Sequence, residues 1–293
     1  MERESGVAGR PIRVGLIGAS IQQSKSPFMH ETEAGALGLH LDYELLDLKA
    51  MGVGPEALGD LLSQVEAEGY AGVNVTHPCK QAVIPLLDDL AEDAAMIGAV
   101  NTVVFKDGRR HGYNTDEWGF RESFRRQMAG AALERVVQIG AGGAGAATAH
   151  AMLELGTRRL SILDADSGRA QALADKMAVK FGAGRALVAT DLEAAVRGAQ
   201  GLVQATPVGM ADHPGTPVPP ALLRPDLWIA EVIYFPLETE LLARARALGC
   251  RTIDGGGMAV FQAARAFELF TGVAPDPERM LRRFRDEPVG FNL

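Results

Sequence analysis

Residues 72–83 read GVNVTHPCKQAV and place Lys80 where a lysine is electrostatically unwelcome. The stretch 72–75 reads as a strand end, Pro78 suits the first turn of a helix, and Lys80 falls just inside that turn. A cation there faces the positive end of the helix dipole. A lysine held in such a place is a candidate to move protons. The plainer alternative is a surface lysine that tolerates a poor site. This stretch and four others carry hydroxyls, amides and charges of the kind that a polyhydroxylated ligand needs: SKSP at 24–27, AVNT at 99–102, NTD at 114–116 and MAVFQ at 258–262. Each also has a local structural reading, as turn caps for Ser24 and Thr115 and a helix cap for Asp116.

A different chemistry is written in VVQIGAGGAGAATAHAMLELG, residues 136–156. Gly140, Gly142 and Gly145 stand in G-x-G-x-x-G spacing, after an apolar strand and at the start of a helix. The first glycine permits the turn, the second lets backbone approach a pyrophosphate, and the third lets helix and strand pack closely. The helix N-terminus then offers unpaired N–H groups to phosphate oxygens. The turn Gly140, Ala141, Gly142, Gly143, Ala144 and Gly145 is thus a candidate dinucleotide cradle. Asp164 closes the next strand in RLSILDADSGRAQALA (159–174), where a carboxylate can accept both ribose hydroxyls of an adenosine. A 2′-phosphate there would face Asp164 and Asp166 as like charges, at a cost on the order of a kcal/mol. NAD is therefore expected over NADP. Arg169 is the nearby cation that could still hold a phosphate; its simpler reading is a solvated helix residue or a lid over the adenine.

Positioning these groups takes an alternating α/β chain. Apolar, β-branched runs at 12–17, 43–48, 72–75, 101–105 and 110–113 read as strands, with helical spacing at 27–39, 55–68 and 81–94 between them. A helix at 116–128 leads to strands at 135–139, 159–163, 186–189, 201–205, 228–232 and 251–253, most of them separated by helices at 144–155, 168–181, 192–197 and 238–248. Two helices, 258–271 and 277–285, end the series. The alternation predicts an α/β fold of parallel sheet covered on both faces.

The 293 residues are comfortable for two domains, and 47% hydrophobic with 23% charged residues is ordinary for a globular protein. Lys plus Arg total 29 against 37 Asp plus Glu, a net charge of −8 with no basic block, which argues against nucleic acid or an anionic membrane as a partner. MERESGVAGRPIRVGLIG is charged before its first apolar run, and that run is only a strand long, so neither a signal peptide nor a membrane span is expected. Cys79 and Cys250 have neither disulfide-framework nor metal-ligand spacing. Both read as reduced thiols of a cytoplasmic protein without a metal, Cys79 as a small residue packed at a helix start.

The five polar segments, with GAGGAG at 140–145 and ATPVGM at 205–210, follow one order along the chain. Together they resemble the shikimate dehydrogenase family, most closely its NAD-dependent quinate/shikimate dehydrogenase branch, from about Val14 to Pro277. The resemblance implies a substrate-binding and catalytic domain at 1–113, completed by 258–293, and a Rossmann-type domain at 114–257, with both ligands meeting in the cleft. It makes Lys80 and Asp116 the catalytic pair, gives Ser24 and Ser26 the substrate carboxylate, and gives Thr76, Asn101, Asp116 and Gln262 the ring hydroxyls. Tyr234 would stand near the carboxylate end, His77 beside the site, and Thr206, Pro207, Gly255 and Met258 would extend the cofactor set. The implied activity is reversible oxidation of the C3 hydroxyl of shikimate or quinate, with Lys80 taking the O–H proton as hydride leaves the same carbon for nicotinamide. Two alternatives remain: a paralogue acting on a modified, for instance amino-substituted, shikimate, and a non-catalytic NAD-binding sensor. Many NADP-dependent members carry Asn-Arg-Thr where this chain has Asp164, Ala165 and Asp166, a departure that removes the phosphate clamp and favours NAD. The second serine of SKSP is threonine in some quinate-active relatives, so Ser26 leans toward shikimate. The expected partner is the small-molecule substrate, and the expected state a monomer or homodimer.

Overall fold

The computed structural model describes residues 10–286, so the outer ends of the expected terminal spans, 1–9 and 287–293, lie outside the described residues. In chain order the first half runs β1 (Ile12–Gly18), α1 (Ser26–Ala36), β2 (Leu41–Asp47), α2 (Leu48–Met51), α3 (Leu58–Ala67), β3 (Gly72–Val75), α4 (Cys79–Ala82), β4 (Asp89–Leu90), α5 (Glu92–Ile97), β5 (Thr102–Lys106) and β6 (Arg109–Tyr113). The connecting helix α6 (Thr115–Gln127) is followed by β7 (Arg135–Ile139), α7 (Gly143–Glu154), β8 (Arg159–Leu163), α8 (Ser167–Phe181), β9 (Ala186–Val188), α9 (Leu192–Arg197), β10 (Gly201–Gln204), β11 (Trp228–Glu231), α10 (Glu240–Ala247) and β12 (Thr252–Ile253). The last helices are α11 (Gly256–Thr271) and α12 (Pro277–Asp286).

The second sheet, ordered β12-β11-β10-β7-β8-β9, is parallel throughout, as the alternation predicts. Its central strands β7, β10 and β11 are buried on both faces. Val136, Leu160, Val203 and Ala230 share a core with Ala149 and Met152 of α7, whereas Val137, Leu202 and Ile229 share one with Val196 of α9 and Leu241 of α10.

The first sheet, ordered β2-β1-β3-β5-β6-β4, corrects the expectation of parallel sheet. β1 is parallel to β2 and β3, but β5 runs antiparallel to both β3 and β6. The β5–β6 reversal has a local cause: Asp107 and Gly108 join the two strands with φ of 54° and 69°. A two-residue Asp-Gly connection with both φ positive is the preferred hairpin turn, and a hairpin must be antiparallel. The helix expected at 81–94 is also corrected. α4 stops at Ala82, a single 3-10 turn spans Ile84–Leu86, β4 pairs with β6, and α5 restarts at Glu92. Pro85 lies inside that turn, where its missing N–H would break a continuous helix.

The last two helices return to the first sheet. Ala266, Phe267 and Phe270 of α11 pack on Val14, Leu16, Leu41 and Tyr43 of β1 and β2, and Met280 and Phe284 of α12 pack with Met29 of α1. The fully buried Glu33 of α1 is met by Arg279 through Nε and a terminal nitrogen at 2.9 and 2.6 Å, and by Asp276 N at 2.7 Å. A carboxylate out of water requires such pairing, and the fork of donors fixes where α12 begins. Among the described residues no helix is long and apolar enough to cross a membrane.

Candidate active site

β3 delivers Thr76, and Cys79, which opens α4, donates its N–H to Thr76 O at 2.8 Å. Cys79 is fully buried, as read from the sequence, and burial pushes its thiol up. The next residue, Lys80, donates from Nζ to Asp116 Oδ2 at 2.5 Å, with the two side chains 23% and 11% exposed. Asp116 can serve because it does not cap its own helix. Asn114 Oδ1 accepts from Glu117 N at 3.2 Å and so caps α6, leaving the Asp116 carboxylate for Lys80 and, through Oδ1, for Asn101 Nδ2 at 2.9 Å.

From Asn101 a buried polar network runs back through the first sheet. Asn101 Oδ1 accepts from Thr115 N at 2.7 Å and from Thr102 Oγ1 at 3.1 Å. Asn74 Nδ2 donates to Thr102 Oγ1 at 3.0 Å, and Asn74 Oδ1 accepts from the Tyr43 hydroxyl at 2.8 Å. Burial raises the Tyr43 phenol far above its ordinary range, while a hydrogen bond with Ser26 acts the other way. Ser26 Oγ in turn accepts from Ser24 Oγ at 3.1 Å. On the α11 side, Gln262 Oε1 lies 3.4 Å from Thr115 Oγ1. The structure therefore links Ser24, Ser26, Asn101, Asp116, Lys80 and Gln262 through Tyr43, Asn74, Thr102 and Thr115. The sequence assigns no role to Tyr43, Asn74 or Thr102, although Asn74 and Thr102 lie in the polar segments; a further signal is an asparagine inside the otherwise apolar strand GVNV. Thr76 stands against the end of β1, where its methyl would overlap a β-carbon on Gly18. Tyr234 is 45% exposed, yet its phenol is crowded by protein atoms and lies in reach of the Asp116 charge, and both raise its pKa.

Opposite this network is the glycine turn. Gly140 has φ +106°, which side-chain-bearing residues rarely adopt. Gly142 caps α7 without a side-chain oxygen, so the first-turn N–H groups are left for a ligand. Ala141 N donates to Asp164 Oδ2 at 2.7 Å and Asp166 N to Asp164 Oδ1 at 2.8 Å, which clamps the acid beside the turn. Asp166 caps α8 through Gly168 N and Arg169 N. Arg169 pairs with Asp166 at 3.3 Å and with Asp164 at 3.5 Å. A β-carbon on Gly143 would lie 3.9 Å from Lys80 Cδ, so the turn and the lysine face one another. Thr206 is tied by its N–H and hydroxyl to Gln204 Oε1, both at 2.9 Å, and Pro207 O accepts from Met210 N. Gly255 N donates to Ile233 O, and Met258 is buried in the core with Phe120 and Phe124. An uncapped helix start behind a glycine turn, with a carboxylate at the next strand end, fits a dinucleotide.

Beside the 206–210 turn, β11 ends in Glu231, which is 1% exposed. Its Oε2 accepts from Thr239 Oγ1 at 2.5 Å, and its Oε1 has no partner among the described residues. Burial pushes this carboxyl up from 4.5 to about 7, against the opposing hydrogen bond from Thr239. The folded state thus holds the proton more tightly than the unfolded state. That contribution to stability is complete below pH 4.5 and is lost as the pH rises through about 7. Glu231→Gln cannot ionise and should match the parent at pH 4.5 yet exceed it at pH 8 by roughly 1–3 kcal/mol. Urea unfolding at the two pH values reads this, and parallel pH dependences in the two proteins would clear Glu231 of the role.

The shikimate dehydrogenase substrate binding domain matches residues 16–103, and the shikimate 5′-dehydrogenase C-terminal domain matches residues 255–283. The chain is 58% identical over 270 residues to the shikimate dehydrogenase (NADP(+)) of Streptomyces avermitilis, covering 92% of this chain and 93% of the relative. It is 46% identical over 278 residues to the quinate/shikimate dehydrogenase (NAD(+)) of Corynebacterium efficiens, covering 93% and 97%. Its structure superposes on quinate dehydrogenase from Corynebacterium glutamicum in complex with NAD with a TM-score of 0.89 and 43% identity, covering 94% of this chain and 99% of the other.

Proposed function

The chain belongs to the shikimate dehydrogenase family of nicotinamide-dependent oxidoreductases, and from that membership we propose that it oxidises the C3 hydroxyl of shikimate or quinate reversibly to the 3-dehydro ketone, with NAD. The observation that carries this reading is the Lys80–Asp116 pair, 2.5 Å apart and facing the glycine turn. Lys80 Nζ, as a neutral amine, takes the proton from the C3 hydroxyl, and as an ammonium returns it to the carbonyl oxygen in reverse. Asp116 steadies the charged form and, with Thr76, Asn101 and Gln262, holds ring hydroxyls. Ser24 and Ser26 bind the carboxylate, with Tyr234 near that end. A cyclic acid with several hydroxyls needs this many donors and acceptors at fixed angles. The nicotinamide, when bound, supplies the hydride acceptor. The turn 140–145 with Asp164, Asp166, Arg169, Thr206, Pro207, Gly255 and Met258 holds the dinucleotide. The substrate half is assigned to 1–113 with 258–293, and the dinucleotide half to 114–257.

Relatives named for either dinucleotide are similar to this chain, so the choice of NAD rests on the acids. Arg169, the cation that could hold a 2′-phosphate, is already paired with Asp164 and Asp166. Asp164→Ala is expected to raise the NADP-to-NAD ratio of kcat/KM by about tenfold; an unchanged ratio moves that duty elsewhere. The test of the whole reading is the initial rate of absorbance growth at 340 nm with shikimate and quinate, each with NAD and with NADP. Turnover with NAD on either acid supports it. Turnover with NADP alone sinks the cofactor argument and leaves the lysine chemistry standing. No turnover from folded protein that binds NAD points to a modified substrate or a sensor.

A further inference from the structure

Gln138 is a polar residue within the apolar strand β7, and it is fully buried. A central parallel strand covered on both faces takes an aliphatic side chain by default, and an amide buried there without partners costs about 1–3 kcal/mol. Gln138 has its partners. Nε2 donates to Gly140 O at 2.9 Å and to Gly145 O at 2.7 Å, and Oε1 accepts from Thr148 Oγ1 at 2.9 Å. Thr148, on α7, is itself fully buried and also lies 3.2 Å from Gly145 O. The two carbonyls belong to the first and last residues of the glycine turn, so one side chain ties both ends of it. They can come together because a β-carbon on Gly145 would overlap the Gly140 carbonyl oxygen and none is there.

We propose that Gln138, oriented by Thr148, is a positioning residue for dinucleotide binding: it fixes the turn from beneath so that the N–H groups at the start of α7 are set for the pyrophosphate before the cofactor arrives. The inference rests on the reading that the phosphates bind at this turn. A turn ordered in advance spares the cofactor the entropy of ordering it. Leucine at 138 keeps the apolar packing and removes both donors, so the turn loses its tie while the sheet stays covered.

The measurement is the NAD dissociation constant of the whole protein by titration calorimetry, with the shikimate affinity of the cofactor-free protein and the melting temperature recorded beside it. Gln138→Leu should weaken NAD about tenfold and leave shikimate affinity within twofold. Thr148→Val should weaken NAD about threefold, and Thr148→Ser, which keeps the hydroxyl, should restore the parent value. A lower melting temperature with unchanged NAD affinity in Gln138→Leu makes the residue merely structural and overturns the inference. Should that variant fail to fold, the valine and serine variants decide: equal NAD affinities overturn it. A parent protein that binds neither NAD nor NADP overturns the cofactor reading, and the inference with it.

Discussion

Lys80→Ala is expected to lower kcat by roughly 10³–10⁴-fold while NAD affinity stays within about threefold. Lys80 is the amine held by Asp116, and under the proposed mechanism its removal deletes the acceptor for the C3 hydroxyl proton. It also leaves the Asp116 carboxylate, which is 11% exposed, with Asn101 as its remaining side-chain donor. The glycine turn keeps its own ties to Asp164 and Gln138, neither of which involves the lysine. Lys80→Arg separates charge from proton transfer. A guanidinium preserves the ion pair but does not release a proton in the working range. The arginine variant should therefore be nearly as inactive as the alanine one. Rates at saturating substrate and a separate NAD titration read both. A fall in NAD affinity in step with kcat would assign Lys80 to cofactor binding or closure rather than proton transfer.

Gly119→Val should destabilise the protein by about 3 kcal/mol or more. A β-carbon at this place on α6 would lie 2.7 Å from both Gln262 N and Met258 O of α11. Those are backbone atoms inside a helix and cannot rotate aside. The gain in helix propensity from replacing this glycine by valine is only about 0.3–0.5 kcal/mol and works in the opposite direction. Forcing the helices apart also separates Gln262 from Thr115, 3.4 Å away, and from the Asp116 end of α6, so kcat should fall further than the loss of folded protein explains. Urea unfolding with rates corrected for the folded fraction measures both. A valine variant as stable as its parent would mean that α6 and α11 part without penalty.

The groups to which the proposal gives chemistry stand out in the sequence because their types are odd for their places. Lys80 stands at a helix start, GAGGAG follows a strand, and Asp164 closes the next strand. The parallel second sheet is equally legible, since buried strands alternating with helices have few other solutions. What escapes the sequence is partnership. Asp116 and Asn114 are both plausible caps for α6, and only the folded turn shows that Asn114 takes the task and frees Asp116. Tyr43 and Asn74 meet because β1 pairs with both β2 and β3, which places residues 31 apart in sequence within one hydrogen bond. The helical spacing at 81–94 misleads because Val83, Ile84, Leu87 and Leu90 recur near a helical period while Pro85 forbids the helix they would form. The Asp107–Gly108 turn is a local hairpin signal that interrupts the alternation of strands and helices.

The return of α11 and α12 to the first sheet has a consequence for the order in which the protein can be made. The face of β1 and β2 that carries Val14, Leu16, Leu41 and Tyr43 is covered by Phe267 and Phe270. On the ribosome that cover is synthesised only after the whole second sheet, roughly 10–45 s later at about 5–20 residues per second. The parallel sheet, contiguous in sequence from β7 to β12, needs no such wait. The half that begins the chain is thus the last to close, and its apolar face must be kept from other nascent chains until the C-terminal helices arrive.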